Sequence, residues 1–318
     1  MIIRHSVRTA LTSAGLLDVA REARDAVAGL AWVRNNSPVW LRGAADGLPV
    51  PPLRLVRAST GTSSLPWLFQ GGALAAGSIT GILSKNGISI RDVGSLLDFG
   101  CGCGRVIRHW ARLGAAVHGS DYNGRSIAWC RRNLTFARFE VNQLAPPLPY
   151  QQGQFDLVYA LSVFTHLPEP LMFAWMREME RILKPGGFLI VSTHGEPYLG
   201  HLSPGQQAEF RSGRAVVKDE ESAGTNRCGV YLPEAYVRTQ LADGFRVVDF
   251  RPQGATGNPP QDLVLLQKPV SVAEPSRVDE ANGGRWHTGT GVGDGHGQFL
   301  SAAACRQRPR QEMTDPPY

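Results

Sequence analysis

From residue 93 onward, short apolar runs alternate with amphipathic stretches. "VGSLLDFG" (93–100), "AAVHGSDYN" (115–123), "ARFEVNQL" (137–144), "FDLVYALSV" (155–163) and "GGFLIVSTH" (186–194) predict buried strands, each too short for a helix. Between them, "RVIRHWARL" (105–113), "RSIAWCRRNL" (125–134) and "PLMFAWMREMERILK" (170–184) carry apolar residues at helical spacing. Alternation of this kind predicts βαβ units, hence a doubly wound, mostly parallel sheet with helices on both faces. Farther on, "LPEAYVRTQLA" (232–242) predicts a helix, and "FRVVDFRP" (245–252) and "DLVLLQKP" (262–269) predict strands. The link between these last two is short, so they are expected to form an antiparallel hairpin that completes a seven-stranded sheet.

The rest of the chain is patterned differently. Residues 10–34 place Leu17, Ala20, Ala23, Val27, Leu30 and Ala31 on one helical stripe, with Arg21, Glu22, Arg24 and Asp25 between them. The mixed polar face favours packing on the protein's own core or a second subunit over a membrane surface. Residues 37–54 are punctuated by Pro and Gly and read as a connector, and 65–85 read as helical after a break at Gly71-Gly72. Residues 195–228 are irregular, and 269–318 lack any period and read as a disordered tail. The expected organisation is an N-terminal helical extension or lid (1–90), a core domain (91–268) and the tail (269–318).

Composition narrows the function. The chain has 318 residues, a net charge of +6 and 42% hydrophobic residues, enough for a sizeable core. Residues 1–60 hold eight arginines against four acids, without a dense cluster, so no nucleic-acid partner is expected. Five cysteines without framework spacing suit a reducing compartment, and no apolar run reaches the length of a spanning helix. Cytoplasmic location, no membrane insertion, and a monomer or homodimer are the expectations.

Chemistry concentrates in "LLDFGCGCGR" (96–105), between the first strand and the first helix of the expected sheet. In doubly wound sheets, ligands bind at the carboxyl ends of the strands. Gly100, Gly102 and Gly104 let the backbone turn sharply there. Cys101 and Cys103 lack the further ligands of a zinc site and the spacing of a redox pair, so no metal is expected. Arg105 stands where a dinucleotide fingerprint needs its third glycine. Asp98 precedes the loop, where it could cap the turn or meet an ammonium group.

This loop resembles the first motif of class I S-adenosylmethionine (SAM)-dependent methyltransferases. The resemblance extends to "FDLVYALSVFTHLPE" and "MREMERILKPGGFLIVSTHG", and covers about residues 90–268. It implies the class I methyltransferase fold, with SAM as cofactor. Gly100, Cys101 and Gly102 would line its methionine end, with Asp98 acting on that end. Asp121, twenty-one residues after Gly100, would accept from the ribose hydroxyls, and Tyr122 would cover the adenine. Asn142 stands where many members carry an acid that meets the adenine amino group. Gly104, Leu161 and Ser162 complete the expected cofactor set. Trp67 and Phe69 would shape the pocket as part of a lid.

His166 and His194 follow the fourth and fifth strands at the ligand-facing edge. Each is placed either to take a proton from an acceptor or to serve as a hydrogen-bonded loop residue. His109, His118, Tyr159, Trp175 and Met176 read as scaffold, and Asp156 as a structural hydrogen-bonder. The expected acceptor is a small metabolite, sugar or glycan precursor, with oxygen ahead of nitrogen as the acceptor atom. The competing readings are a non-catalytic module on the same fold and a nicotinamide-dependent oxidoreductase.

Overall fold

A computed structural model describes residues 36–37, 42–257 and 261–270. The helix expected over 10–34 and the tail expected over 269–318, past Val270, lie outside the described residues. Two helices, α1 (Leu53–Thr60) and α2 (Leu65–Lys85), precede the sheet. The chain then runs through β1 (Ser95–Phe99), β2 (Ala116–Asp121), α3 (Gly124–Asn133), β3 (Arg138–Val141), β4 (Phe155–Ala160), α4 (Glu169–Ile182) and β5 (Leu183–Thr193). Next come α5 (Pro204–Arg211), β6 (Val216–Lys218), β7 (Gly229–Tyr231) and α6 (Glu234–Tyr236), which a π-helical turn (Val237–Leu241) continues. The hairpin β8 (Arg246–Ala255) and β9 (Gln261–Gln267) closes the fold.

The seven-stranded sheet has the order β3-β2-β1-β4-β5-β9-β8. Strands β1 to β5 pair in parallel, and β9 runs antiparallel between β5 and β8. This is the doubly wound, mostly parallel seven-stranded sheet with an antiparallel hairpin that the pattern of strands and helices predicts. Its ligand-facing edge is the carboxyl end of β1, β2, β4 and β5.

Strand periodicity sorts the core onto two faces. Val158 and Ala160 of β4 pack with Trp175, Met176 and Met179 of α4. Leu157 and Tyr159 pack on the other side with Ile79, Ile82 and Leu83 of α2, Ile127 of α3, and Ile107 and Trp110. Both faces are covered, so the central strands are near-continuous apolar runs. At roughly 1.5–3 kcal/mol for each large apolar side chain removed from water, these two layers dominate the folding free energy.

Besides α5 and β6, which fall within residues 195–228 read as irregular, the structure departs from three sequence expectations. Residues 105–113 form a single 3₁₀ turn (Ile107–Trp110), not an α-helix. The apolar residues are buried as the spacing requires, but α2 already covers that face of the sheet. Buried Arg108 pairs with the exposed Asp46, and its guanidinium also donates to the carbonyls of Leu48 and Pro49. Helix α2 runs unbroken through Gly71-Gly72. Those glycines are contact points: a Cβ on Gly72 would lie 2.3 Å from the Arg105 carbonyl oxygen. The third difference is α1, partly within and just after the stretch read as connector. Pro52 precedes it, and Gly61 ends it in the left-handed conformation.

Candidate active site

Burial and backbone hydrogen bonds build the glycine loop. The Gly100 and Cys101 amides both donate to the Ser120 carbonyl, at 2.8 and 3.0 Å, which ties the loop to the end of β2. The Gly102 amide donates to Asp121 Oδ2 at 2.8 Å, and the Asn123 amide to Oδ1 at 2.8 Å. Gly102 has φ of 53°, and a Cβ there would strike Ser59 of α1 at 2.6 Å. Ser59 in turn accepts from the Cys103 amide at 3.1 Å. Thus the last turn of α1 covers the loop, a contribution that the sequence pattern does not single out.

One cavity of about 360 Å³ opens over this loop, within the usual range for a small-molecule site. Its wall includes Asp98, Gly100, Cys101, Gly102, Asp121, Tyr122, Asn142, Leu161, Ser162, His166 and His194, all expected from the sequence. Gly104 is the exception. It points away from the cavity, where a Cβ would meet Leu134 at 2.4 Å. At φ of 86°, Gly104 lets the loop pack against Leu134 and Cys130. Trp67 reaches the cavity, whereas Phe69 stacks beneath the Arg108 guanidinium at 4.7 Å. Trp175 is both core and wall, and its indole N–H donates to the Leu144 carbonyl at 2.9 Å.

Asp98 is buried, and its Oδ2 has no partner among the described residues. Burial pushes its carboxyl up to about 7, against the Tyr159 hydroxyl and the positive charge of Arg105, which both favour the anion. Tyr159 is a core residue with a polar duty, since its oxygen also accepts from the Trp110 indole at 2.8 Å. Arg105 itself lines the cavity and donates to the Gly257 carbonyl at 3.0 Å. Burial raises the Asp121 carboxyl as well, opposed by its two backbone donors. Asn142 donates from its side chain to the Gln143 carbonyl, which leaves Oδ1 buried without a partner. Asp156 lies away from the cavity and binds Ser95 and Lys184, as expected of a structural residue.

The far end of the cavity is polar but neutral in charge. His166 Nδ1 lies 2.6 Å from the Cys228 carbonyl oxygen. His194 lies in an aromatic stack, 4.1 Å from the Tyr198 ring and 5.3 Å from Tyr231. Burial, with His166 nearby, lowers His194 to about 4, and burial lowers His166 too. Gln261 of β9 joins them, 3.4 Å from His194 Nε2. Sequence reasoning missed Gln261 because it falls in the turn-rich link ahead of the expected strand and meets Ser162 and Ser192 only in the fold. Ser162, at φ of 56°, turns its amide onto Ser192 and its hydroxyl onto Gln261.

Burial raises the thiols of Cys101, Cys103 and Cys130. Among the described residues, no three His, Cys, Asp or Glu side chains converge as a metal site would require, and no helix is long and apolar enough to cross a membrane.

Residues 97–191 match the family model described as a methyltransferase domain. The chain is 36% identical over 101 residues to a ubiquinone biosynthesis O-methyltransferase of Cereibacter sphaeroides, across 31% of this chain and 40% of that protein. It is 32% identical over 106 residues to the protein of that name from Pseudomonas paraeruginosa, across 31% of this chain and 44% of that one. The chain thus spans less than half the length of these curated relatives. A solved SAM-dependent methyltransferase from Methanosarcina mazei aligns with a TM-score of 0.43 at 23% identity, covering 57% of this chain and 94% of that one.

Proposed function

We propose that this chain, whose residues 97–191 form a methyltransferase domain, is a SAM-dependent methyltransferase acting on a hydroxyl of a small organic acceptor. The observation that carries the proposal is the shared cavity: Asp98 and Asp121 line one part of it, His166 and His194 another. The residues present fit the cofactor. The unpartnered, buried Oδ2 of Asp98 suits an ammonium group, and the Arg105 cation nearby suits a carboxylate. Each Asp121 oxygen already accepts one backbone N–H and keeps a lone pair for a ribose hydroxyl. The orphaned Oδ1 of Asn142 suits an amino group on adenine. Leu161 and the Tyr122 ring supply apolar surface.

Bound there, SAM supplies a methyl group made electrophilic by its sulfonium. The chain's own work is to hold the acceptor in line, exclude water and receive the acceptor's proton. Support for a hydroxyl acceptor comes from the O-methyltransferase relatives and from neutral hydrogen-bonding groups at the far end of the cavity. The test is incubation of the purified chain with methyl-labelled SAM and matched hydroxyl and amine acceptors. Label in an ether product is expected. Label only in N-methyl products, or in none despite cofactor binding, contradicts the reading.

A further inference from the structure

We propose that Gln261, delivered to the cavity by antiparallel β9, is a positioning residue: its side-chain amide holds Ser162 in a left-handed backbone conformation and so keeps the turn after β4 seated on the glycine loop. This goes beyond the methyl-transfer reading above, which supplies only the ligand used to test it.

The amide is only 3% exposed, and its whole hydrogen-bonding capacity is engaged inside the protein. Oε1 accepts from Ser192 Oγ at 2.7 Å and from the Ser162 hydroxyl at 3.0 Å. Nε2 donates to Ser162 Oγ at 2.7 Å and faces His194 Nε2 at 3.4 Å. A side-chain amide has two acceptor lone pairs and two donors, so nothing is left over for a bound molecule. Gln261 therefore acts through the groups it holds. From Leu263 to Leu266 the rest of β9 is apolar and buried. An amide buried at the head of that strand is costly unless all its bonds are made, and here they are made.

The backbone fixes which way the amide points. The Ser162 N–H donates to Ser192 Oγ at 2.7 Å, so the Ser192 hydroxyl keeps its proton to give to Gln261 Oε1. Nε2 is then turned toward His194. An amide nitrogen only donates, so His194 Nε2 is the lone-pair nitrogen of its ring and Nδ1 carries the proton.

The residue so held is an unusual one. Ser162 has φ of 56°, a conformation that a residue with a Cβ keeps only where its surroundings enforce it. Both enforcing side chains come from other strands, Ser192 from the end of β5 and Gln261 from the start of β9. The turn matters because Leu161, Ser162 and Val163 all line the cavity. Val163 lies directly on the glycine loop: a Cβ added to Gly100 would come within 2.4 Å of its Cγ2. With the usual negative φ at Ser162, the chain beyond it would leave in another direction and Val163 would lift from Gly100. A side chain 99 residues along the chain thus decides how one wall meets the glycine loop.

The test is Gln261→Glu. When protonated, the new carboxyl presents one acceptor and one donor, as the amide does; when ionised, it presents acceptors only. Burial raises such a carboxyl above its usual value of about 4.3, which brings the change into an accessible pH range. Affinity for S-adenosylhomocysteine, the demethylated product of SAM, is measured for wild type and variant from about pH 5 to about pH 9. The ratio of the two affinities is read at each pH. The titratable groups around position 261 are His194, with His166 beyond it, Tyr198 and Asp262. They are common to both proteins, as is Asp98, so the ratio isolates the new carboxyl. The expected variant binds within about threefold of wild type at the acid end and is weaker by about tenfold or more at the alkaline end. A ratio that does not change with pH overturns the proposal, whether the variant matches wild type throughout or is weak throughout. Long-range ¹H–¹⁵N NMR of the wild type near neutral pH gives a second reading without ligand or substitution. An Nδ1–H tautomer at His194 supports the orientation of the amide on which the proposal rests, and an Nε2–H tautomer overturns it. That reading decides the matter if the variant fails to fold or the wild type fails to bind. Failure of the wild type to bind S-adenosylhomocysteine overturns the methyl-transfer reading alone.

Discussion

At the residue scale, the fold buries Asp98 beside the glycine loop and leaves one of its carboxylate oxygens without a partner among the described residues. Asp98 is raised by burial from an ordinary 3.8 to about 7, so its ionised form costs stability as pH rises through that range. An ammonium beside Oδ2 reverses the preference. Binding of S-adenosylhomocysteine below about pH 7 should therefore release a proton, and affinity should climb from pH 5 and level off above 7. Calorimetry in two buffers of different ionisation enthalpy measures that proton directly. Asp98→Asn should weaken binding by about tenfold or more and abolish the proton release. His194 works in the opposite direction. Its folded pKa of about 4 lies below the ordinary 6.5, so its contribution to stability is complete above 6.5 and is lost as pH falls toward 4. His194→Gln should flatten that part of the melting-temperature profile. Asp98 and Asp121 were legible in the sequence because a strand end and a glycine loop constrain what stands there. Ser59 and Gln261 were not, because each arrives from a distant segment with no local signature.

At the element scale, glycine positions separate packing from propensity. Gly72 lies where α2 crosses the Arg105 carbonyl, and a Cβ would have to displace backbone. Gly72→Ala should destabilise by about 1–3 kcal/mol. Gly77, in the same helix, has nothing within 4 Å of its added Cβ. Gly77→Ala should stabilise by roughly 0.5–1 kcal/mol, because only the unfolded chain's freedom changes. Denaturant melts of the two variants should move in opposite directions. The same contact explains why residues 105–113 misled the periodicity argument. Val106, Ile107 and Trp110 are buried as helical spacing implies, yet a tight turn buries the same three residues. Helix α1 was hidden for the opposite reason: its Leu55 and Val56 are too few to show a period, although Pro52 and Gly61 mark its ends.

At the scale of the whole molecule, the sheet was the most legible feature. Fully buried parallel strands must be apolar runs, and a two-faced sheet must alternate them with helices. The short link ahead of β9 also foretold the antiparallel return that brings Gln261 to the cavity. The glycine-loop half of the cavity was readable because backbone geometry limits it to few residue types. The far half was not, since Tyr198, Gly224, Asn226 and Gln261 come from separate segments that meet only in the fold. The measurement that tests the account most directly is calorimetric titration of the chain and its Asp121→Ala variant with S-adenosylhomocysteine. The account predicts saturable one-to-one binding to the wild type, weakened at least tenfold in the variant. No binding to the wild type, or equal affinity in both, would contradict it.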